Sequence, residues 1–261
     1  HPTEPKEGKI ELIADIDGLL KIRRDALKAV NSLGEMIIAS RHGDFPVKKG
    51  QKIAGTRIIP LVIEEEKMKA AKETAGQKPI FEILPFYHKK AGIVTTGSEV
   101  KKGLIQDTFT PVLEEKLKEY DAEILGHTTP GDEKEQITKD ILTFIENGAD
   151  LVLCSGGMSV DPDDRTPGAI KDTGAEVLTY GAPVLPGAML MVAYYKKDGK
   201  QIPIIGLPGC VMYARRTVFD LLLPRIMADD KILLEEIAAY GEGGLCLNCE
   251  TCTFPNCGFG K

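Results

Sequence analysis

The sequence contains no long apolar run, and none of its hydrophobic stretches approaches the roughly 18 residues that a bilayer-spanning helix needs. No signal-peptide pattern is visible. Basic residues are not concentrated either, because 33 lysines and arginines are mixed with 39 acidic residues, for a formal net charge of −6. Nucleic-acid binding requires a concentrated basic surface. These absences argue against membrane and nucleic-acid partners, and we expect a soluble, cytoplasmic protein.

Histidine is scarce as well. The four histidines are scattered and lack the spacing of metal ligands. No internal repeat is visible, and the only low-complexity tract is the C-terminal tail. What remains is a chain of 261 residues that is 43% hydrophobic, which is enough to bury a core in one large domain or two unequal ones.

Hydrophobic patterning divides the chain into three parts. Residues 1–88 are expected to form a small mixed α+β module, in which the DG pair at position 17 predicts a hairpin. Residues 89–228 alternate short apolar strands with helices, which predicts an α/β fold, a three-layer α/β/α sandwich with a mostly parallel sheet. Residues 229–261 are expected to form a helix followed by a Cys-rich tail.

Two helices of the central part have predicted limits. The longest begins at Asp132 and shows apolar residues on one face, including Ile137 and Ile141. Another is expected over residues 210–223, where Pro224 limits it.

Three glycine-containing loops follow predicted strands. They are TTGSEV (residues 95–100), SGGMSVDPDDRT (residues 155–166) and GLPG (residues 206–209). Ligands of open α/β sheets bind beyond the carboxyl ends of the strands. Glycine also lets a ligand approach main-chain N–H groups closely. Three such loops favour a ligand site at this edge.

Carboxylates accompany these loops. Glu99 has no evident structural duty, whereas Asp132 and Asp164 could hold Mg²⁺, which binds through one or two carboxylates plus substrate phosphate. Structural alternatives stay open for both aspartates. Asp132 could form a capping box with Glu135, and Asp164 could cap a helix that begins near Thr166.

The order of these motifs resembles the molybdopterin-binding domain. TTGSE, GLIQD, a helix opened by GD, SGGMSVDPDDRT, PG and GLPG follow one another over about residues 90–227, and the pattern SGG-S-V-x-x-x-D-x-T is the most specific. This domain occurs in molybdopterin molybdenumtransferases and in gephyrin. The resemblance implies a three-layer fold and a phosphorylated pterin ligand, molybdopterin. It also implies action on the adenylylated pterin with Mg²⁺ and molybdate (or tungstate), releasing AMP. A homo-oligomer and molybdoenzyme maturation partners are implied too.

The resemblance assigns catalysis around the metal and the scissile phosphate to Glu99, Asp132 and Asp164. Together, the loops and the resemblance assign phosphate and pterin binding to Thr96, Gly97, Ser98, Asp107, Ser155, Gly156, Gly157, Ser159, Asp161, Thr166, Pro208 and Gly209. The remaining acidic residue of the loop, Asp163, is expected to face solvent.

Several positions depart from the family pattern. Ala188 stands where family enzymes usually have the lysine of PGK, Cys210 and Val211 replace NP, Ser98 replaces the aspartate of GDE, and Phe109 replaces an asparagine. A lost lysine near phosphate removes a contact worth about 1.5–3 kcal/mol. An inserting enzyme and a non-catalytic carrier or sensor of molybdopterin therefore both stay open. A third alternative is a relative that acts on nicotinamide mononucleotide, which would need an amidase-like domain that residues 1–88 do not resemble.

Four of the six cysteines lie in the last sixteen residues with the spacing C-x₂-C-x₂-C-x₄-C. The C-x₂-C-x₂-C run is typical of iron–sulfur proteins, and tetrahedral Zn²⁺ is equally compatible with four thiolates. Disulfides are less favoured in a cytosolic chain. We expect an iron–sulfur cluster or Zn²⁺ at Cys246, Cys249, Cys252 and Cys257, and we expect Cys154 and Cys210 to lie in the core.

Overall fold

The computed structural model describes residues 1–159, 161 and 164–261, and the chain divides into two compact units. The smaller unit comprises His1–Phe86 with Ala228–Asp230. The larger comprises Tyr87–Met227 with Lys231–Lys261. Over the described ranges, no helix has the length and apolar character to cross a membrane.

The smaller unit contains two antiparallel three-stranded sheets, with the strand orders β1-β5-β3 and β4-β2-β6, and two helices. Its elements are β1 (Lys9–Ile13), β2 (Gly18–Ile22), α1 (Arg24–Asn31), β3 (Met36–Ser40), β4 (Phe45–Val47), β5 (Lys52–Ile58), α2 (Glu65–Ala75) and β6 (Phe81–Pro85). It matches the small mixed module expected from the sequence.

The hairpin expected at the DG pair is wrong, because β1 and β2 belong to different sheets. Gly18 begins β2, between β4 and β6, and a Cβ at this position would collide with the carbonyl oxygen of Leu84. The glycine therefore permits close strand packing. It does not form a two-residue turn.

The larger unit is built on one six-stranded sheet with the order β10-β11-β12-β9-β7-β8. Its elements are β7 (Lys90–Thr95), α3 (Ser98–Lys101), α4 (Phe109–Lys118), β8 (Glu123–Thr128), α5 (Lys134–Glu146), β9 (Leu151–Ser155), α6 (Thr166–Asp172), β10 (Glu176–Tyr180), β11 (Met191–Lys197), β12 (Lys200–Leu207), a 3₁₀ turn (Gly209–Met212), α7 (Val218–Met227) and α8 (Leu234–Ala239). β12, β9, β7 and β8 run parallel, and β11 is antiparallel to both of its neighbours. The mostly parallel sheet is confirmed.

Helices cover both faces of this sheet. Ile137 and Ile141 of α5 pack in one cluster with Cys154 of β9 and with apolar residues of α6. On the opposite face, the hydroxyl oxygen of Thr110 in α4 lies 3.2 Å from the hydroxyl oxygen of Thr95 in β7. Successive strand residues point to opposite faces, so the same strands serve both helical layers. The three-layer α/β/α sandwich is confirmed.

The helix expected over residues 210–223 is wrong at both ends. The chain forms only a 3₁₀ turn at Gly209–Met212, leaves helical geometry, and resumes as α7, which continues through Pro224 to Met227. Asp220, the third residue of α7, explains why the helix starts where it does. Its carboxylate accepts a hydrogen bond of 2.8 Å from the amide of Thr217, the residue before the helix, as in a capping box.

Candidate functional site

Four loops lie at the carboxyl edge of the parallel strands. We name them the TTG loop (residues 95–98) after β7, the PGD turn (residues 130–132) after β8, the SGG loop (residues 155–166) after β9, and the LPG turn (residues 207–209) after β12. These four strands are neighbours and run parallel. The loops therefore share the edge at which open α/β sheets bind ligands.

The TTG loop and the PGD turn are joined by Asp132. The Ser98 amide donates a hydrogen bond of 2.8 Å to Asp132 Oδ2. The capping role that the sequence left open for this aspartate is wrong, because α5 begins at Lys134 and its N-cap residue, Glu133, makes no side-chain cap bond. The capping box with Glu135 is accordingly absent from α5. Asp132 instead orients the loop that follows the neighbouring strand.

The SGG loop is held by Asp164. Its Oδ2 accepts hydrogen bonds from the amide and the hydroxyl of Ser159, each 2.6 Å long. The helix-capping alternative is wrong here too, because α6 begins at Thr166 without a side-chain cap bond. The Asp161 amide lies 3.3 Å from the Ser159 hydroxyl oxygen. Asp163 lies outside the described residues.

Three hydroxyl residues assigned to ligand binding are buried beneath the loops. Ser155 and Thr166 are 0% exposed and Thr96 is 4% exposed. Thr96 Oγ1 lies 3.1 Å from Thr166 Oγ1, and Thr166 donates to the Gly156 carbonyl at 2.8 Å. These side chains hold the backbones of the TTG and SGG loops together, so any contribution they make to binding is through loop position.

A chain of hydroxyls connects the SGG loop to Asp107. Ser155 donates to Thr95 at 3.2 Å, Thr95 lies 3.2 Å from Thr110, and Thr110 donates to Asp107 Oδ2 at 2.5 Å. The other oxygen of Asp107 accepts from the amides of Phe109 and Thr110, at 2.8 and 3.1 Å. The carboxylate of Asp107 therefore fixes the start of α4.

Two backbone donors of the SGG loop are without an acceptor among the described residues. The amides of Gly156 and Gly157 donate no hydrogen bond to any other described residue. Gly156 has a φ of +83°, and a Cβ there would collide with the Thr96 carbonyl oxygen. Only glycine satisfies both conditions without strain. Adjacent free amides in a tight turn form a binding site for an anionic group.

The remaining predicted residues differ in exposure. Glu99 is exposed, and its carboxylate has no hydrogen-bond or ion-pair partner among the described residues. Gly97 is half-buried, Gly209 is exposed at the start of the 3₁₀ turn, and Pro208 is buried. Of these four residues, Glu99 and Gly209 are the exposed ones, as are Asp132, Ser159 and Asp161 among the residues described above.

Tyr180 is a site residue that the sequence did not indicate. Its hydroxyl lies 3.2 Å from the carbonyl oxygen of Met158 and 3.1 Å from that of Ser159, to which it can donate. Burial, and then the charge of Asp164, raise the pKa of this tyrosine, so its hydroxyl stays protonated. It comes from β10, and no motif marks it.

Lys101 and His127 were missed as well. The Lys101 ammonium donates to the Pro130 carbonyl at 2.8 Å, which places a cation at the PGD turn. This position matters because Ala188 replaces the family's lysine. His127 Nε2 lies 3.2 Å from Asp107 Oδ2. The position of Lys101, two residues after the SE pair, could have indicated the cation.

The donor set at this edge fits Mg²⁺ chemically. Glu99, Asp132 and Asp164 offer hard carboxylate oxygens, and Mg²⁺ usually takes one or two of these with substrate phosphate. Thr128 Oγ1, at the end of β8, is a buried oxygen without a hydrogen-bond partner in the described part of the chain. No group of three or more His, Cys, Asp or Glu side chains that could hold a metal ion by itself occurs among the residues described. A cation here would therefore depend on ligand oxygens.

The four tail cysteines lie around one cavity of about 540 Å³. All six cysteines are free thiols. Cys154 is buried in β9, whereas Cys210 is half-buried in the 3₁₀ turn, and burial raises the pKa of both thiols.

Comparison with known proteins identifies the domain. The sequence profile of the family described as "Probable molybdopterin binding domain" matches residues 92–228, more than half of the chain. The chain belongs to this family. The matched range includes the TTG, PGD, SGG and LPG segments, so the resemblance of the motifs is confirmed.

Relatives known by sequence share parts of the chain. A molybdopterin molybdenumtransferase from Synechococcus elongatus is 26% identical over 196 residues, which cover 72% of this chain and 45% of that protein. A CinA-like protein from Mycobacterium tuberculosis is 38% identical over 77 residues, 30% of this chain and 18% of that protein. The chain thus spans less than half the length of these curated relatives.

Solved structures with a similar fold include the tungsten cofactor synthesizing protein MoaB from Pyrococcus furiosus. It has a TM-score of 0.41 and 21% identity, and the match covers 47% of this chain and 83% of that chain. The protein CinA from Thermoplasma acidophilum has a TM-score of 0.42 and 19% identity, with coverages of 53% and 98%.

Proposed function

We propose that this chain binds molybdopterin, or its adenylylated form, in molybdenum cofactor biosynthesis, at the edge formed by the four loops. One observation supports this most strongly: the amides of Gly156 and Gly157, which donate to no other described residue, lie in the SGG loop beside the TTG loop, which Asp132 ties to the PGD turn. Free amides suit the phosphate of the pterin. Membership of the molybdopterin-binding family favours this ligand over other phosphorylated molecules.

We propose further that the chain releases AMP from the adenylylated pterin while molybdate or tungstate enters as a substrate. Asp132 and Asp164 each use one carboxylate oxygen for a loop donor and could offer the other to Mg²⁺. When bound, Mg²⁺ would neutralise charge on the phosphates. Glu99, exposed and unpartnered among the described residues, would take a proton from the attacking water as the phosphoanhydride bond breaks and AMP leaves.

The cation at the PGD turn bears on the choice between enzyme and carrier. The family's lysine is absent at Ala188, which motivates the non-catalytic carrier or sensor. Lys101 supplies an ammonium held at 2.8 Å by the Pro130 carbonyl. A charged donor therefore still lies at this edge, and we favour the enzyme.

The test measures AMP released by the purified chain from adenylylated molybdopterin with Mg²⁺ and molybdate. We expect release by the native chain, loss in Glu99→Gln with pterin binding retained, and no change in Glu114→Gln, an exposed glutamate of α4. Pterin binding without AMP release would support the carrier. Binding of nicotinamide mononucleotide in place of the pterin would favour the nucleotide alternative.

The proposal has three further parts. We propose that the chain forms a homo-oligomer, that it interacts with molybdoenzyme maturation partners, and that its four tail cysteines hold a metal centre, either iron–sulfur or Zn²⁺. Light scattering of the purified chain tests the first of these, because a monomeric mass at working concentration would contradict it.

A further inference from the structure

The cysteine tail (residues 241–261) has almost no apolar core of its own. Among its large apolar side chains only Phe259 is buried, at 4% exposure, whereas Leu245 and Leu247 are 64% and 79% exposed. The tail contains no helix and pairs with the rest of the chain by one isolated β-bridge, between Leu185 and Leu245. A segment that buries so little cannot offset the entropy of being ordered by burial alone.

The tail is nevertheless attached to the larger unit at defined points. The Leu185 amide donates to the Gly244 carbonyl and the Cys246 amide donates to the Leu185 carbonyl, both at 2.8 Å. At the other end of the tail, the Gly260 amide donates to the Gly243 carbonyl at 2.9 Å. These bonds close the tail into a loop and place its cysteines against residues 213–216.

Two arginines form the wall that faces the cysteines. Arg215 Nη1 donates to the Glu250 carbonyl at 2.5 Å, and lies 3.5 Å from the Cys249 carbonyl oxygen. The Arg216 guanidinium lies 5.0 Å from the ring centroid of Phe254. Arg216 Nη1 also donates to Asp220 Oδ1 at 2.8 Å, which holds the guanidinium in place.

All four tail cysteines and both arginines line the same cavity of about 540 Å³. A single Zn²⁺ with four thiolates at about 2.3 Å draws all four sulfurs to one point. Here the cysteines surround a space large enough for a polynuclear centre. Among the described residues, no three or more His, Cys, Asp or Glu side chains form a group that could hold a metal ion, so the cysteines lie around the cavity without converging on one point.

We infer that this cavity holds an iron–sulfur cluster ligated by Cys246, Cys249, Cys252 and Cys257. The C-x₂-C-x₂-C run is typical of cluster ligands, and the cavity provides the volume. Each thiol loses its proton on binding iron, and the resulting negative charge is offset by Arg215 and Arg216. This inference does not depend on pterin binding, because no loop at the carboxyl edge contributes a ligand.

The test is anaerobic purification of the full chain, followed by incubation with ferric iron, a thiol reductant and sulfide, or with Zn²⁺ alone. We expect uptake of iron and acid-labile sulfide in equal amounts, with visible absorption that dithionite bleaches. Cys249→Ser and Cys252→Ser should lose the iron. Cys210→Ser should keep it, because Cys210 does not line the cavity.

A second variant tests the arginine wall. Arg215→Gln should accelerate loss of iron to a chelator about tenfold, since groups around a metal centre typically change its affinity by about 10–100-fold. Asp164→Ala should keep the iron, so failure of the pterin site and failure of the cluster are distinguishable. Three results would overturn the inference. They are uptake of Zn²⁺ without uptake of iron and sulfide, disulfides among the tail cysteines of the anaerobic protein, and retention of iron by both serine variants.

Discussion

The Ser98 amide donates to the Asp132 carboxylate at 2.8 Å, across the gap between two neighbouring strands of the sheet. This bond ties the TTG loop to the PGD turn, and the buried pair Thr96–Thr166 ties the TTG loop to the SGG loop. The TTG loop is therefore fixed from both sides. The position of the Gly156 and Gly157 amides depends on that arrangement.

Removal of the Asp132 carboxylate tests its role in the loops directly. Asp132→Ala should weaken molybdopterin binding about tenfold or more, because a hydrogen bond to a charged group is worth about 1.5–3 kcal/mol. It should leave the helix content unchanged, since α5 begins at Lys134. Glu135→Ala is the matched control, and equal losses in both variants, measured by fluorescence titration and circular dichroism, would point back to capping.

Asp164 and Ser159 form a pair suited to a double-mutant cycle. Asp164→Ala removes both bonds to Ser159, whereas Ser159→Ala removes only the hydroxyl bond and keeps the amide bond. We expect the aspartate variant to lose more pterin affinity, with a coupling energy of about 1 kcal/mol. Strictly additive losses in the titrations would show that the two residues act separately.

Gly156 and Gly174 have almost the same φ, +83° and +84°, but different surroundings. Gly174→Ala should cost only the strain of left-handed backbone, about 1–2 kcal/mol, because no atom lies near its Cβ position. Gly156→Ala should cost about 1–3 kcal/mol more, because its Cβ would collide with the Thr96 carbonyl. Urea unfolding of both variants measures the difference, and equal losses would contradict the close approach of the two loops.

The Tyr180 hydroxyl braces the SGG loop, so Tyr180→Phe should reduce stability by about 0.5–1.5 kcal/mol. The pKa of the tyrosine is raised above its ordinary value of 10.0. The stability that this shift contributes to the folded state is therefore fully present below pH 10.0, and it is lost as the pH rises through the folded-state pKa of Tyr180. Unfolding curves of the two proteins should converge at high pH, and a difference that grows there would contradict the assignment.

The parallel sheet and its ligand edge could be predicted because both are encoded locally. Short apolar runs alternate with amphipathic helices, and glycines follow the strand ends. The identities of Glu99, Asp132 and Asp164 as edge carboxylates follow from those loops. Their partners do not, because a carboxylate such as Asp132 can bond the first amides of its own helix or an amide of another loop. Sequence spacing describes only the first possibility.

The sequence-based predictions were wrong at positions where tertiary contacts, and not the local sequence, determine the backbone conformation. The DG pair at position 17 has the composition of a tight turn, but β2 lies between β4 and β6 and needs glycine there for close packing. The helix expected over residues 210–223 is interrupted where Arg215 and Arg216 contact the cysteine tail. Tyr180 was missed because it reaches the SGG loop from β10 without any local motif.

The central proposal is that the four-loop edge binds molybdopterin through the SGG amides. The most direct test is an anaerobic titration of the full chain with molybdopterin, followed by pterin fluorescence, beside the double variant Asp132→Ala/Asp164→Ala and the control Glu135→Ala. We expect saturable binding by the native chain and the control, and loss of at least about tenfold in affinity in the double variant. Absence of saturable binding by the native chain, or native affinity in the double variant, would contradict the proposal.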